Sequence, residues 1–232
     1  MRSGIRAATR VTVDGPRVRW THEWPVVLRP TGSGPGGERV HLVHAAGGPL
    51  GGDDLALSVD VAPALCTARR APGPTVVSDR AALESAVRVT LAPGAAATVR
   101  ETVVLGRHGQ RGGRYAGALH VAVGEVPLLA HTTVLDGADA ALRGPAGTAG
   151  ARAVGTLVRT GALPLPAEAA GESDGVRWAW TVLDGPGAVL LAVGAPVAVT
   201  AVLDAAERDV PELDGVGVVS PAEPRRRART GA

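Results

Sequence analysis

Alternation of apolar and polar residues with a period of two is what most constrains the fold of this chain. In "LALSVDV", residues 55–61, Leu55, Leu57, Val59 and Val61 fall on one face. In "LESAVRVTL", residues 83–91, Leu83, Val87, Val89 and Leu91 oppose Glu84, Arg88 and Thr90. "YAGALHVAV" (115–123), "VRWAWTVL" (176–183) and "VAVTAV" (197–202) continue the pattern. Turn signals separate them: "DGP" at 14–16, "APG" at 92–94, "GRHGQRGG" at 106–113 and "DGPG" at 184–187. Long, capped helical periods do not occur. The best helix candidates are short, "VLDAAERDV" (202–210) and "PLPAEAAG" (164–171). The uncharged run from Gly185 to Leu203 contains Pro186 and Pro196 and reads as two buried strands with a turn at "GAP", not as a membrane span.

The expectation is therefore an all-β chain with one or two short helices towards the C-terminus. "LSVDVAPAL" (57–65) and "VRVTLAPGA" (87–95) repeat a strand ending in Ala-Pro thirty residues apart. A unit recurring at that spacing favours stacked β-layers, like a β-helix or solenoid, over a closed barrel; a Greek-key sandwich also suits the pattern. One domain is expected over residues 1–220, and a basic, disordered tail over 221–232, where Arg225, Arg226, Arg227 and Arg229 follow two prolines. With 2% aromatics, those arginines do not make a nucleic-acid face.

Composition weakens some motif readings. The 232 residues include no Phe, Lys or Asn, and only Ile5, Met1, Tyr115 and Gln110 of their kinds. The depleted residues share AT-rich codons, so Gly and Ala are common for reasons unrelated to position. Cys66 is the single cysteine, which excludes an internal disulfide and makes a reducing compartment the default. No apolar run near the start suggests a signal peptide, so a cytoplasmic location without membrane attachment is expected.

"HLVHAAGGPLGGDD", residues 41–54, invites two chemistries and supports neither. A phosphate loop needs a Lys and a following helix, but the chain has no Lys and the glycines lead into a strand pattern. His41 and His44 are three apart, a spacing that sets strand residues on opposite faces, and no further ligand pattern follows. Asp53 and Asp54 beside the glycines can close a turn or line a polar channel. Cys66 lacks a basic setting beyond Arg69 and Arg70. Carboxylates such as Glu84 and Glu101, or Asp136 and Asp139, have no separation that a sequence can supply. By pattern alone this is a binding or scaffold protein rather than an enzyme.

The order of four blocks carries a resemblance. "AGGPLGGDDLALSVDV", "PTVVSDRAALESAVRVTLAPGA", "RETVVLGRHGQRGGRYAGALHVAVGEVPLLAHTTVLDG" and "GARAVGTL" together resemble the urease accessory protein UreD (UreH) family. The motif positions are Gly47, Gly48, Gly51, Gly52 and Asp53, then Glu101, Leu105, Gly106, Arg107 and Gly109. The resemblance implies a β-rich stack of strands and a non-enzymatic factor that binds apo-urease. It would pair with UreF and recruit the GTPase UreG, so that nickel reaches the urease active site. It also implies a polar tunnel and transient nickel, with no tightly bound cofactor. Nickel suits carboxylate, imidazole and water, and Asp53, Asp54, Glu101 and His108 are the residues placed on such a path. A strand unit usual between the Gly-Gly-Asp strand and the "PTVV" segment is absent here, so the chain reads as a shortened member. Two alternatives stand beside this reading. One is a degenerate scaffold without ion transfer, and the other is a β-solenoid enzyme acting on carbohydrate.

Overall fold

The structure is a computed structural model, and it describes residues 5–14, 17–34, 37–45, 53–62, 67–70, 73–161, 168–208 and 216–219. In chain order the elements are β1 (Arg6–Asp14), β2 (Arg17–Thr21), β3 (Val26–Gly34), β4 (Gly37–His44), β5 (Asp53–Val61), β6 (Thr67–Arg70), β7 (Thr75–Val77) and β8 (Ala82–Leu91). They continue as β9 (Ala96–Leu105), β10 (Arg114–Val123), β11 (Val126–Asp136), β12 (Ala153–Thr160), β13 (Ala170–Ser173), β14 (Val176–Val182), β15 (Gly187–Gly194), α1 (Pro196–Arg208) and β16 (Val216–Val219). The chain is largely all-β, as the alternation requires.

Two mixed sheets form. The first has six strands in the order β11-β10-β8-β5-β1-β2; the second has ten, in the order β13-β14-β15-β12-β9-β6-β16-β4-β3, with β7 also on β9. The thirty-residue repeat has a direct structural origin. β5 and β8 are parallel neighbours, with Leu57 beside Val87 and Val59 beside Val89. β10 follows β8 in the same sense, with Leu119 beside Val87 and Val121 beside Val89. Between these three strands the chain crosses to the second sheet, where β6 and β9 are themselves parallel neighbours. A parallel pair needs such a crossover. Antiparallel hairpins flank this coil: β1–β2, β3–β4, β10–β11 and β13–β14–β15.

Each sheet turns its alternate apolar residues inward, as anticipated for β5, β8 and β10. One inter-sheet cluster gathers Val11, Leu57, Val59, Val87, Val89, Leu119 and Val121 from the first sheet against Val99, Val158 and Val189 of the second. A second cluster joins Leu83, Tyr115 and Leu135 to Val77, Val103 and Leu105. The third lies on the outer face of the second sheet, where Leu157, Leu190 and Ala192 meet Val199 and Leu203 of α1. Trp178 and Trp180, half-buried, pack against this third cluster.

Residues 197–202 are helical, not a strand. "VAVTAV" satisfies a period of two, but the chain continues with Leu203 and Ala206, and Val199, Leu203 and Ala206 are buried on the helical spacing. Pro196, with its fixed φ and missing N–H, opens the helix. α1 reaches the sheet because Gly155 presents no side chain: a Cβ there would stand 2.6 Å from Val199 Cγ1 and 2.8 Å from Leu203 Cδ1. At the far end Arg100 of β9, 6% exposed, pairs with Asp204 and lies 3.9 Å from Glu207. The helix candidate at 164–171 falls partly outside the described residues, and Ala170 begins β13. The glycines at 47, 48, 51 and 52, Cys66 and the basic tail also lie outside them.

Candidate functional site

The motif loop between β9 and β10 is densely hydrogen-bonded. Arg152, just before β12, donates from Nε to the Leu105 carbonyl at 3.1 Å. Its Nη2 donates to the carbonyls of Gly106 at 2.6 Å and Arg107 at 2.7 Å. Gln110 Oε1 accepts from the Arg107 N–H at 3.0 Å, and the Gln110 N–H returns to the Arg107 carbonyl at 3.0 Å. Asp79 Oδ1 accepts from the Gly112 N–H at 2.7 Å, while the Val77 carbonyl accepts from Gly106 at 2.8 Å. The loop thus ties the end of β7, both strands of the β9–β10 connection and the start of β12 to one another. Gly112 is held at φ 96° with no room for a Cβ, since Gly106 N would lie 2.7 Å away. Leu105 and Gly106 are buried; Arg107 and His108 are exposed.

The four residues placed on an ion path sit in different settings. Asp53 opens β5 beside Leu83, and only its backbone is described. Asp54 sits on the outer face of the first sheet, 3.5 Å from Arg6 Nε in an exposed ion pair. His108 is exposed on the motif loop. Glu101, half-buried in the middle of β9, is the interior one. It shares a face with Val99 and Val103, which belong to the two different inter-sheet clusters, so Glu101 occupies the seam between them. Buried Thr156 stands beside it on β12. The first sheet meets this seam with small or polar residues in register, Ser85 on β8, Gly117 on β10 and Thr133 on β11. Tyr115 folds over Gly117, where a Cβ would lie 2.3 Å from the phenol oxygen. Among the described residues, no three His, Cys, Asp or Glu side chains stand close enough to hold a metal together.

His41 and His44 both lie on β4, opposite Arg29 and Val26. The glycine stretch after them therefore connects β4 of the second sheet to β5 of the first. Arg152 and Gln110, which hold the motif loop, were passed over in the sequence. Gln110 carried a signal, being the sole Gln in a chain whose composition has shed that residue. Among the described residues no helix is long and apolar enough to cross a membrane.

Comparison with known proteins fixes the class first: the matching proteins are accessory proteins of one enzyme, urease. Residues 64–206 match the family described as UreD urease accessory protein, and the chain belongs to that family. It is 32% identical over 229 residues to the urease accessory protein UreD of Frankia alni, covering 68% of this chain and 77% of that one. It is 34% identical over 240 residues to UreD 1 of Saccharopolyspora erythraea, covering 87% and 91%. For the UreD of a Parafrankia species the identity is 31% over 245 residues, covering 81% and 82%. The 229 positions aligned with the Frankia alni protein outnumber the 68% of 232 residues that they span, so that relative carries internal residues with no counterpart here.

Proposed function

We propose that this chain is a urease maturation scaffold: it binds apo-urease, assembles with UreF and UreG, and gives nickel a route through the seam between its sheets. The protein acts in the cytoplasm and holds nickel only in passing. Family membership supports the maturation role, and the position of Glu101 is the observation that carries the route. A lone carboxylate among hydroxyls offers a divalent, borderline ion oxygen ligands without the three or four fixed donors of a closed site. Such a seam binds weakly enough to release. Asp53, at the β5 end of the glycine connection, and exposed His108 serve as ports. Asp54 contributes less, being engaged by Arg6.

The test is co-expression with urease structural subunits, UreF and UreG, followed by nickel analysis of the purified urease. Glu101→Ala should still be captured by urease yet lower its nickel content several-fold. Full nickel content with Glu101→Ala would sink the route, and failure of the wild-type chain to be captured would sink the scaffold reading as well. The internal residues that the Frankia alni relative has and this chain lacks favour one second reading, a scaffold that has kept partner binding and lost ion transfer. Capture without any nickel-dependent urease activity from the wild-type chain separates it from the first.

A further inference from the structure

We propose that the free edge of β11 and the ledge beside it form a groove that takes an extended, uncharged, alternately apolar segment of another polypeptide as an added strand. Among the described residues the two sheets end at five strands, and four are blunted in the ways that discourage pairing. β7, which pairs only with β9, has three residues. β2 has five residues and carries Arg17 and Arg19. β13 has four and carries Glu172. β3 carries Arg29 and Pro30, with a register shift next to the proline. β11 shares a proline and a register shift with β3, but both lie at its start around Pro127, and from Leu129 to Leu135 its pairing with β10 is regular. It is eleven residues long, pairs with β10 along one side, and bears no charged residue from Val126 to Leu135. Among the described residues nothing pairs with its other side. A row of backbone donors and acceptors without side-chain guards is complementary to one kind of ligand, another extended backbone.

What lies below this edge adds selectivity. The second sheet runs out past β11 by way of β15, β14 and β13. On its inward face Val189 is buried under the first sheet, but Leu191, two residues on, is 37% exposed, and its neighbour Ala179 on β14 is exposed. Leu191 is on this inward face because Leu190 packs under α1. The cover therefore stops at Thr156, and Leu191, Ala179 and Val193 make an apolar shelf. A strand added to β11 sets alternate side chains on that shelf and the others beside Val134, Thr132 and Ala130, of which Val134 is 54% exposed. β11 carries no charge from Val126 to Leu135, and on the shelf Arg177 lies beside Val193 and pairs across to Glu172, so the charges are confined to that end and nothing beside Leu191 and Ala179 calls for a charged residue in the ligand. The same overhang tells against a second folded copy of the chain, whose own overhang would compete for the same space.

The probe is a fluorescein-labelled synthetic peptide of alternating Val and Thr, about eight residues long, titrated with the full-length protein and read by anisotropy. Saturable binding is expected. Methylating alternate peptide nitrogens so that one edge cannot donate should weaken it about tenfold or more, as should Leu191→Glu or Ala179→Glu. Val197→Glu, on the exposed side of α1, should leave it unchanged. Circular dichroism establishes that each variant folds, and Ala179→Glu, at an exposed position, keeps the test decisive if Leu191→Glu does not. Absence of saturation overturns the proposal, and so does equal binding of the methylated peptide. Concentration-dependent dimerisation of the chain, abolished by Ala179→Glu in sedimentation experiments, would overturn it in favour of a second copy.

Discussion

Replacing Arg152 by alanine should destabilise the protein by about 3 kcal/mol and loosen one loop ahead of the rest. The figure follows from the three carbonyls that its guanidinium holds, those of Leu105, Gly106 and Arg107, at 3.1, 2.6 and 2.7 Å. A hydrogen bond from a charged donor contributes about 1.5–3 kcal/mol when well buried. Arg152 is half-buried and the Arg107 end of the fork reaches solvent, so about 1 kcal/mol for each bond is the defensible value. Lysine at this position keeps the charge but loses the planar fork, and should recover about one bond's worth. For a chain of this length the alanine variant should melt about 6–12 °C lower. Urea unfolding followed by circular dichroism measures the total. Hydrogen exchange adds location: the Gln110 and Gly112 amides, bonded to the Arg107 carbonyl and Asp79, should exchange faster while those of β10 stay protected. A stability within about 0.5 kcal/mol of wild type, the range of an ordinary surface substitution, would refute the claim that Arg152 holds the loop.

Two further substitutions test the seat of α1. Arg100→Met removes the guanidinium beside Glu207, which is 5% exposed, and should cost about 3 kcal/mol; adding Glu207→Met should restore most of the loss in the same urea titration. Gly155→Ala should cost about 1–3 kcal/mol by pushing on Val199 and Leu203. Combining it with Val199→Ala should recover part of that, and an additive pair of losses would show that the two positions do not touch.

Strands were legible wherever one face is buried and the other wet, because alternation then records burial directly: β5, β8 and β10 follow their pattern residue by residue. β9 was harder, being buried on both faces apart from Glu101, and so has no alternation to show. α1 was misread over 197–202 because Val, Ala and Thr in alternation suit either period until Leu203 and Ala206 are included. Which sheet each strand joins was not legible, since crossovers leave no local mark. The motif block "LGRHGQRGG" marked the family, but its physical role depends on Arg152, some forty residues further along the chain and reached only through the pairing of β9 with β12. Glu101 stood out in sequence as one carboxylate among many; its place in the seam comes from the alternation of its neighbours between two clusters.

The in-register parallel neighbours β5, β8 and β10 bear on how such a chain can change length. Each excursion leaves the first sheet and returns to it one strand further on, facing the same way and at the same height. Adding or deleting a complete excursion therefore preserves the handedness, direction and face of everything downstream, because each layer leans mainly on its neighbours. Adding or deleting one residue within β8 would instead turn Leu83, Val87, Val89 and Leu91 outward and bring Glu84 and Arg88 in. Length in this architecture is thus tolerant in steps of about thirty residues, the spacing that separates Leu57 from Val87, and intolerant in steps of one. A difference of many residues between relatives is the gentler kind of change.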